Sequence, residues 1–344
     1  PALIFTAINH GSAAASGWGI PTATDIAFAV GILSILGDRV PVSLKVFLTA
    51  LAIADDLIAI LVVALFYGGT INFGLLSIAF VLIALVLLMN KLGEKRGWFY
   101  LVPAIAIWSL FYYAGIHSTM SGVVMAFLVP MTPRFNEAYF HRKRLQYIRR
   151  LNEYNGIAST SSEFPNGPQR HCLRRLSAIS RDSIGMSYRL EHALGPWVNF
   201  LIMPIFALAN AGVEIPDVSY FNVFQFDQVL GSVSMGIFLG LVLGKPLGIS
   251  LASFIAVKLH VGEMPAKSTW PMLIAVACLG GIGFTMSIFV DTLSFGDQTP
   301  EVMARLRDMG KVAVLMGSLC AGILGSVLIN IIHGIESRKS VVKA

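Results

Sequence analysis

Apolar residues gather in nine long runs, at roughly 19–36, 43–67, 71–90, 97–114, 117–130, 196–212, 229–257, 271–292 and 309–333. A bilayer core about 30 Å thick takes a helix of around 20 apolar residues, and most of these runs reach that length. The pattern predicts an all-α polytopic membrane protein. The run at 117–130 has only 14 residues, so a short or broken helix is expected there. Residues 1–8 (PALIFTAI) read as the end of a further apolar run. We expect a chain truncated at its N-terminus rather than one with a signal peptide, because no charged stretch precedes these residues and no cleavage pattern follows them.

Composition agrees with this pattern and sharpens it. Mean hydropathy is +0.73, and 13% of residues are charged against about 25% in a soluble domain, which excludes an ordinary water-soluble enzyme. The net charge of +6 is local: residues 131–195 hold 11 basic and 5 acidic side chains, and the remainder holds 14 of each. That distribution excludes an evenly basic nucleic-acid-binding face. Cys172, Cys278 and Cys320 have no metal-ligand spacing.

Basic residues concentrate on the cytoplasmic side of membrane proteins. With the connection at 9–18 outside, 21 basic residues fall inside, among them Lys91, Lys95 and Arg96, and three fall outside: Arg305, Arg307 and Lys311. Acidic Glu214 and Asp217 also fall outside. The expected organisation is membrane helices over 1–134, a basic cytoplasmic loop at 135–188, membrane helices over 189–333 and a cytoplasmic tail at 334–344. The loop reads as a solvated connection, with anionic lipid as the alternative partner.

Four charges interrupt the apolar runs. Asp25 lies in GIPTATDIAFAVGIL, Asp55 and Asp56 lie together in LTALAIADDLIAILVV, and Lys245 lies in GLVLGKPLGISLA. A charge at mid-membrane costs about 2.5–3.5 kcal/mol on insertion scales. Each is therefore either a satisfied helix-packing group or a functional one. Neighbours on a helix point about 100° apart, so Asp55 and Asp56 do not share one bidentate role but can border one cavity. Close carboxylates in a poorly solvated site favour retention of a proton on one of them, and carboxylate oxygens also suit hard cations. A proton and a sodium ion competing for the same oxygens, with access from alternate sides, is exchange.

Breaks in the helical pattern lie in two of the runs. Gly280, Gly281 and Gly283 sit at the centre of 271–292, followed by Thr285 and Ser287, and Pro21, Thr22 and Thr24 precede Asp25. Glycine weakens a helix interior, and non-helical backbone at membrane depth is tolerated where it lines a cavity or is buried in protein. Close helix packing is the other use of such glycines.

At these residues the chain resembles the NhaA-type sodium/proton antiporters of bacterial inner membranes. The matching motifs are GWGIPTATDIAFAVGIL (17–33), ALAIADDLIAI (50–60), AGIHSTMSGVV (114–124), LEHALGPWVNFLIMPIFALANAGV (190–213), GKPLGIS (244–250) and GIGFTMSIF (281–289). This family is a type example of transporters whose two interrupted helices run in opposite senses and meet at the substrate site. The resemblance implies an antiporter fold with inverted repeats and two crossed, interrupted helices. It implies Asp56 as principal ligand for sodium and proton, Asp55 as its neighbour paired with Lys245, Thr24 as a further oxygen ligand, and Asp25 with Lys245 offsetting the charges of broken helix ends. The backbone at Gly280, Gly281 and Gly283 would form one interruption.

Glu191 and His192 would lie near the cytoplasmic funnel where pH-responsive members sense pH, and His117 is a further pH-sensing candidate; Gly195 stands where a second His is expected. The implied activity is electrogenic, pH-regulated exchange of cytoplasmic sodium or lithium for external protons, serving pH homeostasis and salt tolerance. It needs no cofactor and no catalytic residue, and the full-length protein would be a homodimer. An intramembrane aspartyl protease also needs two aspartates, but no Tyr precedes Asp25, Asp55 or Asp56 and no GxGD motif occurs. A sodium-coupled symporter on a related fold lacks an organic-substrate signature here, and a passive channel does not require a titrating pair.

Overall fold

The apolar runs become helices that start and stop at local signals. In a computed structural model, the described residues are all of 1–344 except 69–70, 95–96, 134, 158–164, 166, 211, 213–222, 224–230, 297 and 344. Lys95, Arg96, Glu214, Asp217 and part of the 135–188 connection thus lie outside the described residues. The helices in chain order are α1 Ala2–Ile8, α2 Ile26–Ile35, α3 Val42–Phe66, α4 Phe73–Lys91, α5 Trp98–Tyr113, α6 Thr119–Leu128, α7 Glu137–Ile157, α8 Gly167–Asp182, α9 Met186–Trp197, α10 Met203–Asn210, α11 Val233–Leu239, α12 Lys245–Lys258, α13 Trp270–Leu279, α14 Phe284–Ser294 and α15 Pro300–Lys343.

A 3-10 helix, Ala13–Thr22, precedes α2, and a π-helical turn, Gly240–Gly244, joins α11 to α12. Another π turn, Val198–Ile202, joins α9 to α10. Asn72 caps α4, its Oδ1 accepting from Gly74 N at 3.0 Å. Past the end of α2 comes Gly37 with φ +58, the left-handed geometry that stops a helix most cheaply at glycine.

Among the described residues five helical stretches are long and apolar enough to cross a membrane, counting α9 with α10 and α11 with α12 as one each, or up to seven if each bent pair is one span. The bent pairs are Ala13–Thr22 with Ile26–Ile35, at 42°, and Trp270–Leu279 with Phe284–Ser294, at 51°. The 117–130 run is the short helix α6 that its length predicts. Large apolar side chains such as Phe80, Val81, Leu85 and Leu88 of α4 are exposed, as suits helices solvated by lipid.

The chain divides into two compact units, 1–68 with 202–344, and 69–201. In the first, Leu33, Leu44, Leu48, Leu273, Val276 and Leu279 form one core cluster. Phe5, Ile20, Ile237, Leu241, Val290 and Phe295 belong to another. Small residues bring backbones together there: a Cβ on Gly240 would stand 2.7 Å from Pro21 Cβ, and one on Gly281 would stand 2.4 Å from Leu241 O. Buried Asn9 ties the chain start to α11, donating to Ser232 O at 3.3 Å and accepting from Ser232 N at 2.7 Å. The second unit packs α4, α5 and α6 around Ala79, Val86, Ile107, Phe111 and Met125.

Two segments differ from the sequence reading. The 135–188 connection, expected as a loop, is mostly the helices α7 and α8, which pack on each other. Helix α15 begins at Pro300, so Arg305, Arg307 and Lys311, expected in a connection, stand on a helix. Hydropathy marks where a helix becomes apolar; proline, favoured in the first turn, marks where it begins.

Candidate functional site

The two bends meet. Asp25 N donates to Ile282 O at 2.6 Å, so the extended residues after Thr22 lie against the turn between α13 and α14. Asp25 itself is the N-cap of α2, accepting from Phe28 N at 3.2 Å through Oδ1. Its Oδ2 accepts from Thr285 N at 3.0 Å and from the Thr285 hydroxyl. One carboxylate thus caps the N-terminal ends of two half-helices, where unpaired N–H groups and the helix dipole favour negative charge. Two further donors at the start of α14 go to Ser318 of α15, whose Oγ accepts from Gly283 N at 3.2 Å and Phe284 N at 3.1 Å.

Thr24 links this crossing to α3 and α12. Its hydroxyl lies 2.8 Å from Asp55 Oδ2 and 2.9 Å from Gly280 O, which share its single proton as alternative acceptors. It accepts from Lys245 Nζ at 2.8 Å. Lys245 also donates to Asp55 Oδ2 in an ion pair in which the lysine side chain is 5% and the aspartate 20% exposed. The π turn immediately before Lys245 delivers it; such bulges recur at functional sites. Asp56, half-buried one residue on, keeps a buried Oδ1 with no hydrogen-bond partner among the described residues.

The sequence-selected residues Thr24, Asp55 and Lys245 are therefore one hydrogen-bonded group, Asp25 adjoins it through the chain, and the buried glycines Gly280, Gly281 and Gly283 lie at or beside the second bend. Asp56 adjoins the group through the chain. Glu191 and His192 lie exposed on α9, in the other unit, where His192 Nδ1 is 3.1 Å from Tyr188 O. His117, half-buried before α6, has Nδ1 3.2 Å from Thr119 Oγ1. Among the described residues no three His, Cys, Asp or Glu gather as a metal-binding cluster.

Sequence reasoning missed Ser318 and Asn9, neutral groups that hydropathy does not flag. It also missed Asp291, which ends an apolar run in the sequence but is wholly buried in the fold. A fifth buried or half-buried charge thus joins the four singled out in the sequence, on the second helix of a bent pair.

Comparisons with known proteins identify the family. The family model described as Na+/H+ antiporter 1 matches residues 1–329. A protein of Syntrophobacter fumaroxidans called Na(+)/H(+) antiporter NhaA is 40% identical over 326 residues, covering 94% of this chain and 67% of the relative. Relatives of the same name from Oleidesulfovibrio alaskensis and Acidithiobacillus ferrooxidans are 40% and 41% identical, over 99% and 94% of this chain and 73% and 72% of theirs. A match across nearly the whole chain, over the same residues that build the crossing, makes this chain a member of the Na+/H+ antiporter family.

Proposed function

We propose that the chain exchanges cytoplasmic sodium or lithium for external protons, with both ions competing for Asp55 and Asp56. The observation that carries this reading is the unequal state of the two neighbours. Asp55 is engaged by Lys245 and Thr24, whereas Asp56 has a buried oxygen without a partner, an acceptor available to a proton or a hard cation. Protonation or cation binding at the pair weakens the hold on Lys245. Asp25 and Lys245 meanwhile balance the helix ends, and Thr24 offers an oxygen already beside Asp55.

In this reading the bends at Thr22–Ile26 and Gly280–Gly283 belong to inverted repeats that rock about the site. More than one proton per sodium makes the exchange electrogenic. Glu191, His192 and His117 adjust its pH dependence. The protein sits in the bacterial inner membrane as a homodimer, with the 131–195 segment and the C-terminus cytoplasmic.

The test is transport by the protein in proteoliposomes. Addition of sodium should dissipate an imposed pH gradient, and Asp56→Asn should abolish that response. Exchange that survives in both Asp55→Asn and Asp56→Asn overturns the site assignment.

A further inference from the structure

Helix α14 buries a carboxylate for which the exchange reading has no use. Asp291 stands six residues past Thr285, about 9 Å further from the bend at 1.5 Å per residue. It is 0% exposed, and neither of its oxygens has a hydrogen-bond partner among the described residues. Helix α15 closes over it at a glycine: a Cβ on Gly310 would fall 2.1 Å from Asp291 Oδ1. Apolar Val290, Leu306 and Val314 belong to the surrounding core.

The charged groups that act on Asp291 are Arg307, Asp308 and Lys311, all on α15. Lys311 Nζ donates to Gly212 O at 3.0 Å. Arg307 is three residues from Gly310, hence on the same face of α15, and its Nε is buried with no acceptor among the described residues. The other elements that meet α14 include the 3-10 helix, α10, α3 and, at its far end, α2 with its N-cap Asp25 on Thr285. The first two carry no titratable side chain. From α3 come Asp55 and Asp56, at the central site, and its C-cap Tyr67, whose hydroxyl donates to Ser16 O at 2.6 Å. A buried anion without donors is among the costliest states a side chain can adopt, whereas a neutral acid is far cheaper. Asp291 and Arg307 thus hold complementary unused groups on facing helices.

We propose that Asp291 is an additional proton-binding site. Its carboxyl holds a proton while packed against Gly310; when the O–H bond breaks, the proton passes to water and the carboxylate pairs with the Arg307 guanidinium as α14 shifts on α15. The link to transport rests on the exchange reading; the proton site itself does not.

Infrared titration of the chain in lipid vesicles tests it. A protonated-carboxyl band should disappear as pH rises and be missing from Asp291→Asn, an isostere of the neutral acid. Arg307→Gln, by removing the cation, should raise the midpoint of that band by about one pH unit. In proteoliposomes Asp291→Asn should also displace the pH profile of exchange. A band unchanged by Asp291→Asn, or a midpoint unmoved by Arg307→Gln, overturns the proton site; a transport profile identical to wild type overturns its part in exchange. If Asp291→Asn does not accumulate, the midpoint in Arg307→Gln decides alone. Failure of the wild-type protein to exchange sodium for protons would count against the exchange reading and leave the band test standing.

Discussion

Asp25 and Asp291 are equally buried, at 1% and 0% exposure; Asp25 caps the start of α14 and Asp291 lies within that helix. Asp25 accepts from Phe28 N, Thr285 N and the Thr285 hydroxyl, whereas Asp291 accepts from no described residue. The same division separates Asp55, held by Lys245 and Thr24, from Asp56 with its unused oxygen. Asp25, with three donors, braces the crossing. Unsaturated carboxylates retain capacity for a proton or an ion, because an unmet hydrogen bond in a poorly solvated site is expensive until something meets it.

Substitutions on the two sides of this division should therefore fail differently. The largest effect is expected from Asp56→Asn: loss of sodium-dependent exchange with little change in thermal melting in detergent. A large fall in melting temperature would place Asp56 among the saturated, structural groups. Lys245→Ala should destabilise by about 3–5 kcal/mol, the scale for breaking a buried ion pair and stranding one partner, measured as a lowered melting temperature. Adding Asp55→Asn to it should recover much of that loss. Thr285→Val removes one hydroxyl donor from Asp25 and should cost about 1.5–3 kcal/mol, the range for a hydrogen bond to a charged group. Ser318→Ala strips a neutral acceptor from the start of α14 and should cost about 1 kcal/mol, as loss of a helix cap does. An order reversed between these last two would undermine the view that Asp25 is the principal brace of the crossing.

How far each of these groups was legible in the sequence depended on its surroundings there. Asp55, Asp56, Asp25 and Lys245 stand out because each interrupts an apolar run, and the cost of charge in lipid makes that a signal. Asp291 escapes the same test because it falls at the end of its run, where a charge normally marks the exit from the membrane. Only the continuation of α14 to Ser294 and the approach of Gly310 reveal that it is enclosed. Ser318 and Asn9 were invisible for another reason. A hydroxyl or amide carries little hydropathy, and their partners lie 35 and 223 residues away. The bends were foreshadowed by glycine and proline, but their meeting through Asp25 and Ile282 was not, since no local pattern encodes which two breaks touch.

The π turn at Gly240–Gly244 makes the group at the crossing depend on how the backbone is wound as well as on chemistry. A π turn accommodates one residue more than the α-helix around it. Removing a single residue from it would allow regular α-helix to form from α11 into α12, with no backbone bond lost. The two halves would keep nearly the same phase, because the widened turn already absorbs the extra residue. Tightening the same five residues to regular α-helix without a deletion would instead turn the following helix by about 100°, carrying Lys245 away from Asp55 and Thr24. The winding of this one turn, rather than the number of residues in the helix, thus sets which way Lys245 points, and a single-codon deletion within it should leave the lysine facing the same partners.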